Sequence, residues 1–139
     1  MDFRGSLDIF VERMTHVAVG VIQRDGRILL CQRRKGSRYG LKWEFPGGKI
    51  EPDESALDCL RRELREELSI EIQRVERVET HRAYYEDGGL FEVAYCFVSQ
   101  FRGEPTNNAF EEIRWVTRDE LRSLDMLEGN KPFVSKLTR

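Results

Sequence analysis

The chain has 139 residues and a formal net charge of −2, from 23 Lys and Arg against 25 Asp and Glu. That length suits one domain, residues 1–139, able to bury roughly two-thirds of its unfolded surface without staples. Charge this balanced, with no long basic block, excludes the electrostatic footprint of a duplex nucleic-acid binder.

In chain order, residues 1–14 are a mixed segment, read as an N-terminal extension with no assigned function. Asp2, Arg4, Asp8 and Glu12 interrupt its apolar residues, which excludes a signal-peptide core. The longest apolar run, VAVGVI, is far shorter than the roughly 20 residues of a membrane-spanning helix. Cys31, Cys59 and Cys96 are odd in number and widely spaced, with no C-x-x-C pair. They read as reduced thiols of a core, and the expected location is cytoplasmic, with no membrane partner.

The β-branched run 16–23 ends at Asp25-Gly26, after which 28–34 resumes, a hairpin signal. A Gly-containing loop, KGSRYGLK, leads to WEFPGG. Residues 71–85 and 90–101 flank a second hairpin signal, EDGG, and EEIRWV reads as another strand. Thr117 and Glu120 make a T-x-x-E capping box for a helix to about Leu124, and a terminal helix is expected after Pro132. Strands and helices thus alternate, which points to an α/β fold.

Between the hairpins, Ala56, Leu60, Leu64 and Leu68 recur every four residues with Leu57 beside them, the apolar stripe of a helix. Asp53 and Glu54 sit where that helix is expected to begin. From Glu63, positions i+3 and i+4 are Glu66 and Glu67, so three carboxylates share a face. Like charges at that spacing cost a few tenths of a kcal/mol per pair. A hard divalent cation would reverse the sign, and oxygen-only donors favour Mg²⁺ or Mn²⁺ over zinc. The alternative is a solvated face, with Asp58–Arg62 and Arg62–Glu66 as ordinary i,i+4 pairs.

The residues upstream decide between these. From Gly48 to Ile70 the chain reads Gly48, five residues, Glu54, seven residues, Arg62-Glu63-Leu64, one residue, Glu66-Glu67, one residue, Ser69-Ile70. This resembles the Nudix box, G-x5-E-x7-R-E-U-x-E-E-x-G-U with U apolar. The six matching charged or Gly positions coincide by chance on the order of once per million windows. The one departure is Ser69 where the box has Gly, a position expected to be left-handed at a cost of about 1 kcal/mol. VAVGVI, WEFPGGKIE and the terminal NKPFVSKL resemble the MutT branch of that family.

The resemblance implies an α/β/α sandwich with a mixed central sheet, and hydrolysis of nucleoside triphosphates to monophosphate and pyrophosphate by attack at the β-phosphorus. It implies that Glu63, Glu66, Glu67 and the Gly47 carbonyl hold Mg²⁺, with Mn²⁺ a substitute, and that Glu54 and Arg62 brace the glutamates. Arg33, Arg34 and Lys49 are candidates for phosphate contact or are solvated cations. Phe45 is singled out beside the Gly-Gly, while Trp43, Tyr84 and Tyr85 read as packing. His16 and His81 read as strand residues. Asn130 sits where the branch carries a base-reading Asn, and is equally suited to cap the last helix.

Many relatives also carry a Glu where this chain has Ala109. Glu111 and Glu112 lie nearby on opposite faces of a strand; if neither reaches the site, Glu66 or Glu67 takes the proton. The leading substrate is 8-oxo-dGTP, for sanitisation of the nucleotide pool. The alternatives are CTP or dCTP pyrophosphatase, and a Nudix-fold nucleotide-binding regulatory module. The protein is expected to act as a monomer or homodimer.

Overall fold

The computed structural model of the protein describes residues 14–139; the expected extension at 1–14 lies, Met14 apart, outside the described residues. Strand β1 (Thr15–Arg24) turns into β2 (Arg27–Gln32) through Asp25-Gly26. Both turn residues are left-handed, with φ of +52° and +74°, the backbone that a two-residue hairpin needs. Short strands β3 (Trp43–Glu44) and β4 (Gly47–Lys49) precede helix α1 (Ala56–Leu68). The second hairpin is β5 (Glu71–Tyr84) and β6 (Leu90–Arg102), followed by β7 (Glu112–Val116), α2 (Arg118–Ser123), a 3-10 turn (Glu128–Asn130) and α3 (Lys131–Leu137).

The seven strands form one mixed sheet in the order β3-β2-β1-β6-β5, with β4 paired to β1 and β7 to β2. Strands β1 and β6 run parallel and the other pairs antiparallel. Alternation along the two central strands builds two cores. Val19 and Val21 of β1 and Val93, Tyr95 and Phe97 of β6 pack with Leu121 of α2 and Phe133 and Val134 of α3. Ala18, Ile22, Cys96 and Val98 point the other way, onto Leu60, Leu64 and Leu68 of α1. Helices therefore cover both faces, and the expected sandwich is the one observed.

Helix α1 explains its own tolerance of carboxylates. Leu60, Leu64 and Leu68 are fully buried, and burying each contributes about 2 kcal/mol, well above the few tenths lost per like-charge pair. The helix begins later than expected. Its N-cap is Ser55, whose hydroxyl accepts from the Asp58 amide, leaving Asp53 and Glu54 in the preceding turn. Ser69 ends it at φ +58°, ψ +35°, left-handed as the box position demands. The Thr117 hydroxyl accepts from the Glu120 amide, but the Glu120 carboxylate returns to that hydroxyl rather than to the backbone. Helix α3 starts before Pro132, which occupies its first turn, where a missing N–H costs nothing. Cys31, Cys59 and Cys96 are free and buried. No helix among the described residues is long and apolar enough to cross a membrane.

Candidate active site

A cleft of about 530 Å³ opens on the side of the sheet where β4, the loop 33–42 and the 3-10 turn meet. Val17, Val19, Phe45 and Phe91 give it an apolar floor, while Glu67 and Asn130 both border it. Its edge is shaped by two glycines. A side chain at Gly47, whose φ is +153°, would collide with the backbone of Ala18 and Val19, so only Gly lets β4 lie this close to β1. At Gly48 a Cβ would run into the Glu63 carboxylate, so the bare backbone of β4 forms the seat for that side chain.

Arg62 ties the seat together. Its guanidinium donates twice to Glu54, at 2.8 and 2.9 Å, once to Glu63 at 2.8 Å, and once to the Lys49 carbonyl at 3.3 Å. This hydrogen bonding holds the Glu54 carboxyl at about 2, far below the usual carboxylate range. The Asp58–Arg62 pair of the solvated-face alternative does not form: Asp58 faces Arg61 at 3.7 Å, and Arg62 is drawn toward β4 by Glu54. Beneath Arg62, the buried Cys59 thiol donates to the Gly48 and Lys49 carbonyls at 3.5 and 3.4 Å.

Glu67 is the carboxylate that faces the cleft. Its Oε1 is buried without a hydrogen-bond partner. Burial above all, then the hydrogen bond and charge of Glu63 and the charges of Glu44 and Glu66, hold its carboxyl well above the usual range. A buried, unpartnered acceptor beside a second carboxylate is a cost that a cation removes. Glu66 is largely exposed and lies 3.9 Å from Arg62. Glu63 and Glu67 lie within hydrogen-bond and charge reach of each other, while among the described residues no three acidic, His or Cys side chains already converge on one point. The all-oxygen donors and the orphaned Oε1 fit a hard divalent cation.

Of the other candidates, Arg34 donates from Nε to the Ala109 carbonyl at 2.8 Å and lines the cleft. Lys49 lines the cleft with an exposed side chain. Phe45 is a core residue, packed edge-on to Tyr95 and Phe133. Asn130 is buried, and its amide donates to the Tyr95 hydroxyl at 2.8 Å. The capping role expected for it is not observed: Asn130 closes the 3-10 turn with helical backbone and makes no side-chain cap. Neither Glu111 nor Glu112 lines the cleft. Glu111 lies before β7 and accepts from the Lys35 amide, and Glu112 is engaged by Arg114.

Two features escaped the sequence. Glu44 lines the cleft between the buried Trp43 and Phe45, with both oxygens on Arg33 at 3.2 and 3.0 Å. Burial raises its carboxyl and Arg33 opposes the rise. A charge flanked by two large apolar residues in W-E-F was a legible signal for such a site. The second feature is Tyr39, stacked on Tyr85 at 4.8 Å, with its hydroxyl on Asp87. Its left-handed backbone, φ +58°, has no sequence signature.

Residues 14–137 match the family model for the NUDIX domain. The chain belongs to the Nudix family. It is 35% identical over 122 residues to the CTP pyrophosphohydrolase of Escherichia coli, covering 88% of this chain and 90% of that one. It is 29% identical over 127 residues to the 8-oxo-dGTP diphosphatase of Haemophilus influenzae, covering 91% and 93%. In three dimensions it superposes on the solution structure of the E. coli ORF135 protein with a TM-score of 0.78, 34% identity and coverage of 89% and 88%. The protein is thus a Nudix hydrolase of the nucleoside triphosphate pyrophosphohydrolase group. Nudix hydrolases generally act with a divalent metal ion.

Proposed function

We propose that this Nudix hydrolase cleaves a nucleoside triphosphate to monophosphate and pyrophosphate with Mg²⁺, Mn²⁺ serving as a substitute. The observation that carries the reading is the buried, unpartnered Oε1 of Glu67 at the cleft, beside a Glu63 that Arg62 and Gly48 hold in place. Glu63, Glu67 and the Gly47 carbonyl would hold the cation, joined by Glu66 through rotation of its exposed side chain. When bound, the cation neutralises phosphate oxygens and acidifies water. Lys49 and Arg34 orient the phosphate chain, and the apolar floor under Phe45 excludes bulk water from the sugar and base. Water adds to the β-phosphorus, the bond from that phosphorus to the oxygen bridging the α-phosphate breaks, and the monophosphate leaves. With Glu111 and Glu112 bonded elsewhere, the proton passes to a box carboxylate, and Glu67 is the one lining the cleft.

Two bases are each favoured by an observation. Asn130, with one amide hydrogen on Tyr95, keeps an acceptor and a second donor for a guanine-like edge carrying O6 and N1–H, which favours 8-oxo-dGTP and a sanitising role in DNA repair. The 35% identity to a protein named CTP pyrophosphohydrolase favours cytosine nucleotides.

The test is pyrophosphate release from CTP, dCTP, dGTP, 8-oxo-dGTP and ADP-ribose, with Mg²⁺ and with chelator. Activity on a triphosphate, absent in chelator and restored by Mg²⁺, is expected. In ¹⁸O-labelled water the label should enter pyrophosphate; label in the monophosphate would place attack at the α-phosphorus. If Asn130 reads the base, Asn130→Ala lowers discrimination for the preferred base by about 1–3 kcal/mol, roughly 5- to 150-fold in kcat/KM. Discrimination unchanged in that variant removes the main support for the oxidised-guanine reading.

A further inference from the structure

Glu66 and Glu67 lie in the last turn of α1, where backbone carbonyls run out of helical donors. Here the donors come from the segment 106–108. The Thr106 amide donates to the Leu68 carbonyl at 2.8 Å and the Asn108 amide to the Glu67 carbonyl at 3.0 Å. The Asn108 side-chain amide donates to the Glu66 carbonyl at 3.2 Å and to the Ser69 hydroxyl at 2.9 Å. Since a backbone carbonyl only accepts, the orientation of this carboxamide is fixed.

Ser69 holds a left-handed backbone at the position where the Nudix box has Gly. A residue with a Cβ is disfavoured in that conformation, which is visited chiefly by short polar residues that bond locally. Asn108 supplies that bond. From it the chain passes to Ala109, whose carbonyl accepts from Arg34, and to the buried Phe110. Asn107 shapes this passage, its side-chain Oδ1 accepting from the amides of Ala109 and Phe110. Both departures from the family pattern, Ser69 and Ala109, therefore lie on one tie that runs from the end of α1 to a cleft arginine.

We propose that Asn108 is a positioning residue for the metal-holding carboxylates. By stabilising the left-handed turn at Ser69 and capping the carbonyls of Glu66 and Glu67, it sets the last turn of α1 against the cleft. This rests on the reading that those carboxylates hold the cation. A surface Asn without such a role would leave metal binding untouched when removed.

Asn108 and Ser69 are both exposed, so their variants should fold. The measurements are Mn²⁺ affinity without nucleotide, from the electron paramagnetic resonance signal of the free ion, and amide exchange at Ser69 and Ile70. In Asn108→Ala, Mn²⁺ affinity is expected to fall about 10-fold or more, the usual cost of losing a group that orients metal ligands, with faster exchange at both amides and a lower kcat at nearly constant KM. Adding Ser69→Gly should restore all three, because Gly adopts the left-handed turn unaided. Wild-type affinity in Asn108→Ala overturns the proposal, and so does a double variant that stays impaired. Faster exchange with unchanged affinity also overturns it, since the turn would then move without its carboxylates mattering. Glu67→Gln is the separate check on the underlying reading: if it binds Mn²⁺ as the wild type does, that reading fails, whatever Asn108 does.

Discussion

At the scale of single residues, the site is marked by groups that the fold would be better without. Glu67 loses solvation while its Oε1 gains no hydrogen-bond partner, whereas a buried carboxylate is ordinarily paired or neutralised. Glu67→Gln keeps the shape and removes the ionisable carboxyl. Turnover should fall by orders of magnitude, because the variant lacks an anionic ligand and acceptor. The melting temperature in chelator should rise, by about 4 °C for each kcal/mol recovered in a domain of this size. Activity assays and calorimetry on the same samples check both. A variant that loses activity and stability together would make Glu67 a structural residue, and one that keeps activity would return the three glutamates to a solvated face. The residue-level reading of the sequence found Glu67 through spacing. It missed Glu44, whose importance comes from burial between Trp43 and Phe45 and from its bond to Arg33.

At the scale of elements, strand β4 is only three residues long, yet its two glycines serve different neighbours. A Cβ at Gly47 meets backbone of β1, which cannot give way, and the φ of +153° is closed to other residues. A Cβ at Gly48 meets the end of the Glu63 side chain, which can swing aside. Gly47→Ala should therefore impair folding, seen in circular dichroism and melting. Gly48→Ala should fold with a nearly native melting temperature and lose about 10-fold or more in kcat/KM, since Glu63 leaves its seat. Equal damage to stability in both variants would mean that the Glu63 seat has no catalytic meaning. The elements that were legible in sequence owe their form to local chemistry: the Asp25-Gly26 turn, the leucine stripe of α1, the threonine cap of α2. The segment 103–111 was not legible, because its hydrogen-bond partners lie some 40 positions earlier at the end of α1. Of the two readings of Asn130, the cap is not seen, for a related reason. Its partner, Tyr95, lies on a strand that sequence spacing cannot place beside it.

At the scale of the whole molecule, the parallel pairing of β1 with β6 lies behind a cleft to which two loops, 33–42 and 85–89, both contribute. They meet in a clasp. The Tyr39 hydroxyl lies 2.8 and 2.9 Å from the Asp87 oxygens, Arg38 donates to Asp87 at 3.0 and 3.2 Å, and Gly89 leaves room for both side chains. Tyr85, stacked under Tyr39, accepts from the Gly129 amide beside Asn130, so the clasp continues to the Asn130 end of the cleft. The Tyr39 hydroxyl foremost, then the Gly89 amide and Arg38, hold the Asp87 carboxyl below its usual range. A carboxyl depressed in the folded state stabilises the fold fully above its unfolded value of about 3.9, and that contribution is lost as pH falls through the lower folded value. The stability difference between wild type and Asp87→Asn, from urea unfolding, should accordingly be level between about pH 5 and 8 and shrink below about pH 4. A difference that stays level down to pH 3 would show that the clasp does not depend on the Asp87 charge, and one that grows on acidification would reverse the sign of the linkage and remove the ionic account of how the cleft mouth is held.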